Sequence, residues 1–327
     1  MATTMTALFG GTGPNWEARA VSVPAPAPGQ VLVRTRAVSL NNADMQMLAA
    51  ADPASGSGEA YLAGFEFAGE IAATGEDTEG VSIGQRVMGT TRGAFAQYVL
   101  ADHRHIMTIP EGVAYEEASA LPTGLLTEHG ALTVGGFVPG QTVLLTGATS
   151  SIGLIGIQIA KSLGAKIVIA TTRTESKKEL LRNAGADVVI ATSSADLTAV
   201  VLEATGDQGV DIVLDHVGGE TLAACLPATR VDGQIVNIGR LDQAESTINL
   251  DALSYRHLRL TGVSFGFTRA DELARVIAAL TPWVLPAVAQ GSVRPIIDSI
   301  LPFDQANGAA DRMRDGSAHG KIILTVP

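Results

Sequence analysis

Between residues 142 and 265 the chain alternates short, uninterrupted apolar runs with segments whose apolar residues recur at helical spacing. The runs are TVLLT (142–146), KIVIAT (166–171), VVI (188–190), VDIVLD (210–215), GQIVNIG (233–239) and LRLTGVSF (258–265). Continuous rather than alternating hydrophobicity marks strands covered on both faces, which is how parallel strands are buried. The intervening segments predict helices over 152–163, 175–184, 195–204 and 219–228. Six strands separated by helices predict an α/β fold with a doubly wound parallel sheet.

The flanks read differently. Residues 1–118 carry short β-rich runs broken by glycine and proline, among them QVLVRTRAVSL (30–40), FAGEIAATG (67–75) and GAFAQYVLA (93–101). PAPAPG (24–29) is a turn-rich break. Beyond Phe267, residues 269–291 have helical spacing with two prolines, 301–316 predict a second helix, and KIILTV (321–326) predicts a closing strand. That strand is expected to return to the N-terminal β region. The expected organisation is therefore a β domain over 1–118, a nucleotide-binding domain over 119–262, and a return segment over 263–327.

Charge and composition narrow the function. The formal charge of −11 disfavours phosphate backbones and anionic lipid, so neither nucleic acid nor a membrane surface is an expected partner. One cysteine, Cys225, excludes an intramolecular disulfide and a multi-cysteine metal site. It reads as a small core residue on a helix. The N-terminal residues lack the basic start and apolar core of a signal peptide, and no apolar run approaches the roughly 20 residues that span a bilayer. A cytoplasmic location is the expectation.

The chemistry begins at GATSSIGLIG (147–156), which follows a strand and opens a helix. Such a turn needs tight reversal, close approach of backbone to a pyrophosphate, and close helix–strand packing. Gly147 suits the turn, and Gly153 and Gly156 the packing. Ser150 stands where the middle glycine is usual, and its hydroxyl can itself donate to phosphate. Ala148, Ser150, Ser151, Ile152 and Gly153 are the expected pyrophosphate contacts, with the helix N-terminus supplying free N–H groups. At the end of the second strand an NAD site places an acid on the ribose diol. Here the residues are Ala170-Thr171-Thr172-Arg173-Thr174, with no acid before Glu175. Thr172, Arg173 and Lys177 instead suit a 2′-phosphate, so the expected cofactor is NADPH.

TGATSSIG is also similar to the opening of short-chain dehydrogenases, but none of the four tyrosines is followed by lysine at the fourth position, as those enzymes require. The chain as a whole resembles the medium-chain dehydrogenase/reductase superfamily. AVSLNNADM (37–45), GFEFAGEI (64–71), VSIGQRVMG (81–89), GAFAQYVLA (93–101), 109–132 and the closing GKIIL (320–324) carry the resemblance. It implies a Rossmann domain plus a discontinuous GroES-like β-barrel catalytic domain. Zinc members carry a cysteine near Asn41 and a Gly-His-Glu triplet, whereas this chain has Gly64-Phe65-Glu66, and phenylalanine cannot ligate metal. No metal is expected.

The zinc-independent quinone oxidoreductase branch, which is zeta-crystallin-like, shares the Ser39-Leu40-Asn41-Asn42-Ala43-Asp44 pattern. The resemblance implies that Asn41 and Thr127 lie near the nicotinamide. It also implies that Val217, Ile238, Gly239, Arg240, Ser264 and Phe265 line the cofactor, and that the protein is a homodimer pairing through residues 258–265. Asn41, Asp44 and Thr127 are the catalytic candidates, Asp44 reading more readily as structural. The branch commonly has Thr-Ala-aromatic where Thr127-Glu128-His129 stands. His103 and His105 alternate along an expected surface strand, and His216 at a strand end is explained by packing and cofactor-edge contacts.

Without zinc to polarise an alcohol, reduction of an electron-poor acceptor is the easier chemistry. The expected activity is an NADPH-dependent oxidoreductase acting on a quinone, enal or enone. The alternatives are an enoyl-thioester reductase and a non-catalytic NADPH-binding protein.

Overall fold

The computed structural model describes residues 3–50, 59–265 and 269–327. Two units divide the chain: Met1–Thr123 with Phe267–Thr281 and Pro295–Pro327, and Gly124–Gly266 with Pro282–Arg294. In chain order the first contains β1 (Thr4–Gly10), β2 (Glu17–Ser22), β3 (Gln30–Ser39), α1 (Asn42–Ala50), β4 (Tyr61–Leu62), β5 (Glu66–Thr74), β6 (Arg86–Thr90), β7 (Tyr98–Asp102), β8 (Ile106–Thr108) and α2 (Tyr115–Ser119). Helix α3 (Pro122–Val134) leads into β9 (Thr142–Leu145), α4 (Ser151–Ser162), β10 (Ile167–Thr172), α5 (Lys178–Asn183), β11 (Val188–Ala191), α6 (Leu197–Ala204), β12 (Val210–Asp215), α7 (Gly219–Ala228), β13 (Thr229–Asn237), α8 (Leu250–Tyr255) and β14 (Arg259–Gly262). Then follow α9 (Ala270–Ala289), β15 (Ile297–Pro302), α10 (Ala306–Arg314) and β16 (Lys321–Thr325).

The first unit has a three-stranded sheet, β2-β1-β4, and a larger one in the order β15-β16-β3-β5-β6-β8, with β7 also on β3. Strand β3 is long because its run of valine and leucine is buried along most of its length. The closing strand does return to it: Ile323, Leu324 and Thr325 of β16 pair antiparallel with Ser39, Val38 and Ala37. The core between these strands includes Phe67, Phe95 and Trp16, the indole meeting the Phe95 ring edge-on at 5.3 Å. The strand expected to carry His103 and His105 ends at Asp102. Asp102 accepts the Arg104 N–H and turns residues 103–105 into a 3₁₀ turn, with His105 buried and its Nε2 against the Ala270 carbonyl at 2.9 Å.

In the second unit the six apolar runs form one parallel sheet, β11-β10-β9-β12-β13-β14. The order reverses beside β9, which is the crevice where doubly wound sheets bind ligands. The edge strand is shorter than 258–265: after Gly262, one more ladder bond from Val263 N–H to the Asn237 carbonyl (3.0 Å) ends the pairing. Helix α9 is long and apolar enough to cross a membrane by length and composition, with a mean hydropathy of 1.4. Its buried residues, Leu273, Ile277, Leu280, Val284 and Val288, recur at helical spacing and Trp283 is exposed, which is the pattern of an amphipathic helix.

Candidate active site

The glycine turn is built as its residue types require. Gly147 takes φ +58°, and a side chain there would press on Val217 at 2.9 Å. Its N–H donates to Thr171 Oγ1 (3.0 Å), and the Ala148 N–H donates to the Thr171 carbonyl (3.0 Å). Ser150 caps α4, its Oγ accepting the Gly153 N–H at 3.1 Å. The hydroxyl proton stays free to donate, and the Ser151 and Ile152 N–H groups lie in the helix's first turn, where no intrahelical acceptor exists. A Cβ on Gly153 would sit 2.7 Å from the Ala148 backbone, so only glycine lets the helix begin this close to the turn.

Neighbouring strand ends bring up the other expected cofactor residues of this unit. Residues 238–242 run beside 215–217, with Ile238 N–H on the Asp215 carbonyl (2.7 Å), Leu241 N–H on the His216 carbonyl (3.0 Å) and Asp242 N–H on the Val217 carbonyl (3.1 Å). Gly239 fits against the backbone of His216, and Arg240 is exposed. Asp215 ties the layer together, accepting from Thr146 Oγ1 (2.7 Å), the Val217 and Gly218 N–H groups and Asn237 Nδ2 (2.8 Å). At the end of β10, Thr172 is buried with its Oγ1 accepting the Thr174 N–H. Lys178 pairs with Glu175 at 2.9 Å, and that carboxyl also accepts from Ser194 Oγ. Among the described residues, Arg173 (exposed) and Lys177 (half-buried) have no ion-pair partner. Thr127 is half-buried on α3, Ser264 is exposed, and the Phe265 ring lies against Gly130 of α3.

Beside Thr127, two further residues of α3 are buried polar groups. Among the described residues His129 Nδ1 has no hydrogen-bond partner, and burial pulls its pKa below the ordinary value, so the ring is neutral at pH 7. Glu128 Oε1 lies 2.7 Å from His216 Nε2, with both side chains buried. Burial alone would lower the His216 pKa, but the facing Glu128 carboxyl raises it above the usual imidazole value.

Asn41 and Asp44 belong to the first unit, where they join four residues that the sequence did not single out as site residues. Lys321 Nζ contacts Glu66 Oε1 and donates to Asn41 Oδ1 at 2.6 Å. Asn41 Nδ2 donates to the same Glu66 oxygen at 2.8 Å, as does the Ser39 hydroxyl, while Glu66 Oε2 accepts the Thr123 N–H at 2.9 Å. Burial alone would raise the Glu66 pKa; the Lys321 ammonium and these donors hold it below the usual range. Lysine as donor and glutamate as acceptor fix which end of the Asn41 amide is which, leaving one Nδ2–H uncommitted. Asp44 is third in α1 and reaches back to the Asn41 N–H at 2.7 Å, the reciprocal half of a capping box. Burial pushes its pKa up to about 7, and its Oδ1 has no hydrogen-bond partner among the described residues.

These residues do not fit a zinc ion. Phe65 offers no donor, Cys225 is buried on α7, and an ammonium already sits on the Glu66 carboxylate. Among the described residues no group of three or more His, Cys, Asp or Glu is placed to hold a metal.

Two family profiles match: an alcohol dehydrogenase GroES-like domain over residues 27–111, and a zinc-binding dehydrogenase over residues 151–281. A phenolphthiocerol/phthiocerol polyketide synthase component from Mycobacterium tuberculosis is 29% identical over 308 residues, 92% of this chain. The chain spans 14% of the length of that relative. Quinone oxidoreductase-like protein 2 of Bos taurus is 28% identical over 81% of this chain and 76% of its own. Among solved structures, a mycobacterial quinone oxidoreductase superposes with a TM-score of 0.86 at 26% identity, covering 98% of this chain and 99% of that one. A mycobacterial NADPH complex does so with a TM-score of 0.82 at 27% identity and the same coverage.

Proposed function

Since the chain belongs to the medium-chain dehydrogenase/reductase superfamily, in its zinc-independent quinone oxidoreductase branch, we propose that this oxidoreductase uses NADPH to reduce quinones or α,β-unsaturated carbonyl compounds. The observation that carries the reading is the Asn41 amide, locked between Lys321 and Glu66 with one N–H left to donate. An amide donor serves an acceptor that is already electron-poor; it does not replace the Lewis acid that makes an alkoxide from an alcohol at neutral pH.

The turn fits a dinucleotide. Ser150, Ser151 and Ile152 would hold the pyrophosphate, and Arg173 and Lys177, cations without an ion-pair partner among the described residues, would hold a 2′-phosphate. The bound cofactor supplies hydride. The chain's own part is to orient the acceptor and to stabilise charge. Asn41 Nδ2–H donates to the oxygen on which negative charge collects, and because the amide is held before the reaction, no reorganisation is required at that moment. The proton that completes the reduction comes from solvent.

A second reading, reduction of an enoyl thioester, is favoured by the polyketide synthase relatives. The same assay separates the two. NADPH oxidation is followed in chelator-containing buffer with 1,4-benzoquinone, 2-alkenals, cyclic enones and crotonyl-CoA, with NADH as a parallel donor. Turnover of a quinone or enone with NADPH preferred is the expected result. Turnover confined to crotonyl-CoA selects the second reading, and binding without turnover of any acceptor removes both. We also propose a homodimer formed through the uncovered edge of β14.

A further inference from the structure

Glu128 and His216 make a connection that the reaction outlined above does not use. They lie 88 positions apart in the chain, one on α3 and one just after β12, and both are buried. The imidazole is engaged at both nitrogens: Nδ1 lies 3.0 Å from the Thr146 carbonyl and Nε2 lies 2.7 Å from Glu128 Oε1. A carbonyl only accepts, so Nδ1 carries a hydrogen. The contact at Nε2 therefore also holds a proton, either as a carboxylic acid donating to a neutral ring or as an imidazolium donating to a carboxylate. Without that proton two acceptors would face each other at hydrogen-bond distance in a dry site, which is strongly unfavourable.

The far end of this line matters for the dinucleotide. The Thr146 carbonyl belongs to the peptide that leads into Gly147, and Thr146 Oγ1 accepts the His216 N–H at 3.0 Å. His216 also carries the loop of residues 239–241 through its carbonyl and through close packing of Gly239. At the near end, Glu128 directly follows Thr127. Its second oxygen, Oε2, is buried with no hydrogen-bond partner among the described residues, beside Gly156 of α4, where any side chain would collide with it. A carboxyl in this place is costly for packing alone, because an apolar residue would fill the space with no oxygen left unpaired.

We propose that Glu128 and His216 form a positioning bridge for the dinucleotide, in which the carboxyl on α3 holds the imidazole and the imidazole holds the peptide entering the glycine turn. The inference rests on the reading of this turn as an NADPH site. It makes Glu128 a positioning residue, acting through His216 and the turn.

The test compares the wild-type chain with Glu128→Ala, His216→Ala, the double variant, and the near-isosteric Glu128→Gln. Direct NADPH binding is read by fluorescence, alongside kcat and the KM of the best electrophile. Each alanine variant is expected to weaken NADPH binding at least tenfold, or about 1.4 kcal/mol, and to lower kcat, with the electrophile KM within about twofold of wild type. The double variant is expected to lose no more than the worse single one, because both remove the same bridge. Glu128→Gln is expected to stay within about threefold of wild type, since its amide N–H can donate to Nε2 while Nδ1–H keeps the Thr146 carbonyl. Unchanged NADPH binding in folded alanine variants would overturn the bridge, as would fully additive losses or a folded glutamine variant as poor as alanine. A wild-type chain that binds neither NADPH nor NADH overturns the cofactor reading itself, and this inference with it. A wild type that binds while the variants match it overturns the inference alone.

Discussion

Asn41 has a side-chain amide whose two ends have separate, dictated partners, and that is why its free hydrogen can be assigned. Lys321 can only donate and the Glu66 carboxylate can only accept, so Oδ1 faces the one and Nδ2 the other. Removing a preorganised donor of this kind typically costs 10²–10³ in rate. Asn41→Ala is expected to lower kcat by about 10² with NADPH binding within a few-fold of wild type, measured by steady-state kinetics and direct titration. Asp44, adjacent in the chain, titrates for a different reason. Its pKa, raised by burial from 3.8 to about 7, means that the folded state keeps a proton the unfolded chain has given up. This contribution is fully present below the unfolded value and is lost as pH rises to about 7, with a slope on the order of 1.4 kcal/mol per pH unit across that window. Asp44→Asn keeps an oxygen for the Asn41 N–H and cannot ionise. Urea unfolding at pH 5 and pH 8 is therefore expected to show the variant gaining stability on wild type as pH rises, and an identical pH dependence would sink the assignment. The geometry of the glycine turn was legible in the sequence because it is a local pattern, while Asn41 entered as a candidate only through a resemblance. Lys321 with Glu66, 255 positions away, and Glu128 with His216 were not legible, because no local rule pairs residues at such distances. The available signal was weaker: Glu66 sits within the apolar run GFEFAGEI and Lys321 opens another, and opposite charges inside two buried strands need each other.

At the level of elements, hydrophobic pattern carried most of the information. Six apolar runs became six parallel strands: the inner ones, β10, β9 and β12, are buried along most of their length, whereas the edge strand β14 is exposed. What the pattern missed depended on single side chains: Asp102 bonding to the Arg104 N–H ends the strand that the alternation of His103 and His105 predicts to continue. The end of β10 is the element whose chemistry is easiest to alter. Lys178 is neutralised by Glu175, which leaves Arg173 and Lys177 beside a buried threonine with no ion-pair partner among the described residues. If they hold a 2′-phosphate, Arg173→Glu is expected to cut kcat/KM for NADPH at least tenfold and to leave NADH within about twofold, since only the former carries the charge that the variant repels. The preference should also weaken as ionic strength rises, because exposed charges are screened. Equal loss with both cofactors would instead mean that Arg173 supports the turn itself.

For the whole molecule, the remaining question is what covers the last strand. The sheet of the second unit ends at β14, whose four residues Arg259–Gly262 are all exposed, with Leu260 among them and Leu250 and Tyr255 nearby in the chain. A bare edge presents unpaired N–H and C=O groups and invites another strand, and monomeric proteins usually blunt such edges with a bulge, a proline or a covering loop. Here the described edge carries none of these; a charged side chain, Arg259 at its start, is its one blunting feature among the described residues. In the proposed homodimer, a second copy related by a two-fold axis would place the same edge antiparallel to itself, so that the two strands would satisfy each other's backbone and bury the apolar side chains together. With a chain mass of 33.6 kDa, light scattering is expected to report about twice that value. Leu260→Glu puts a carboxylate from each copy into the same small contact, where like charges oppose one another. The expected outcome is a folded chain of about half the wild-type mass, with the circular-dichroism spectrum of the sheet retained. A wild-type chain that already scatters as a monomer would show that the edge is tolerated uncovered. A Leu260→Glu chain that remains a dimer would move the interface to another surface, such as the one around exposed Trp283.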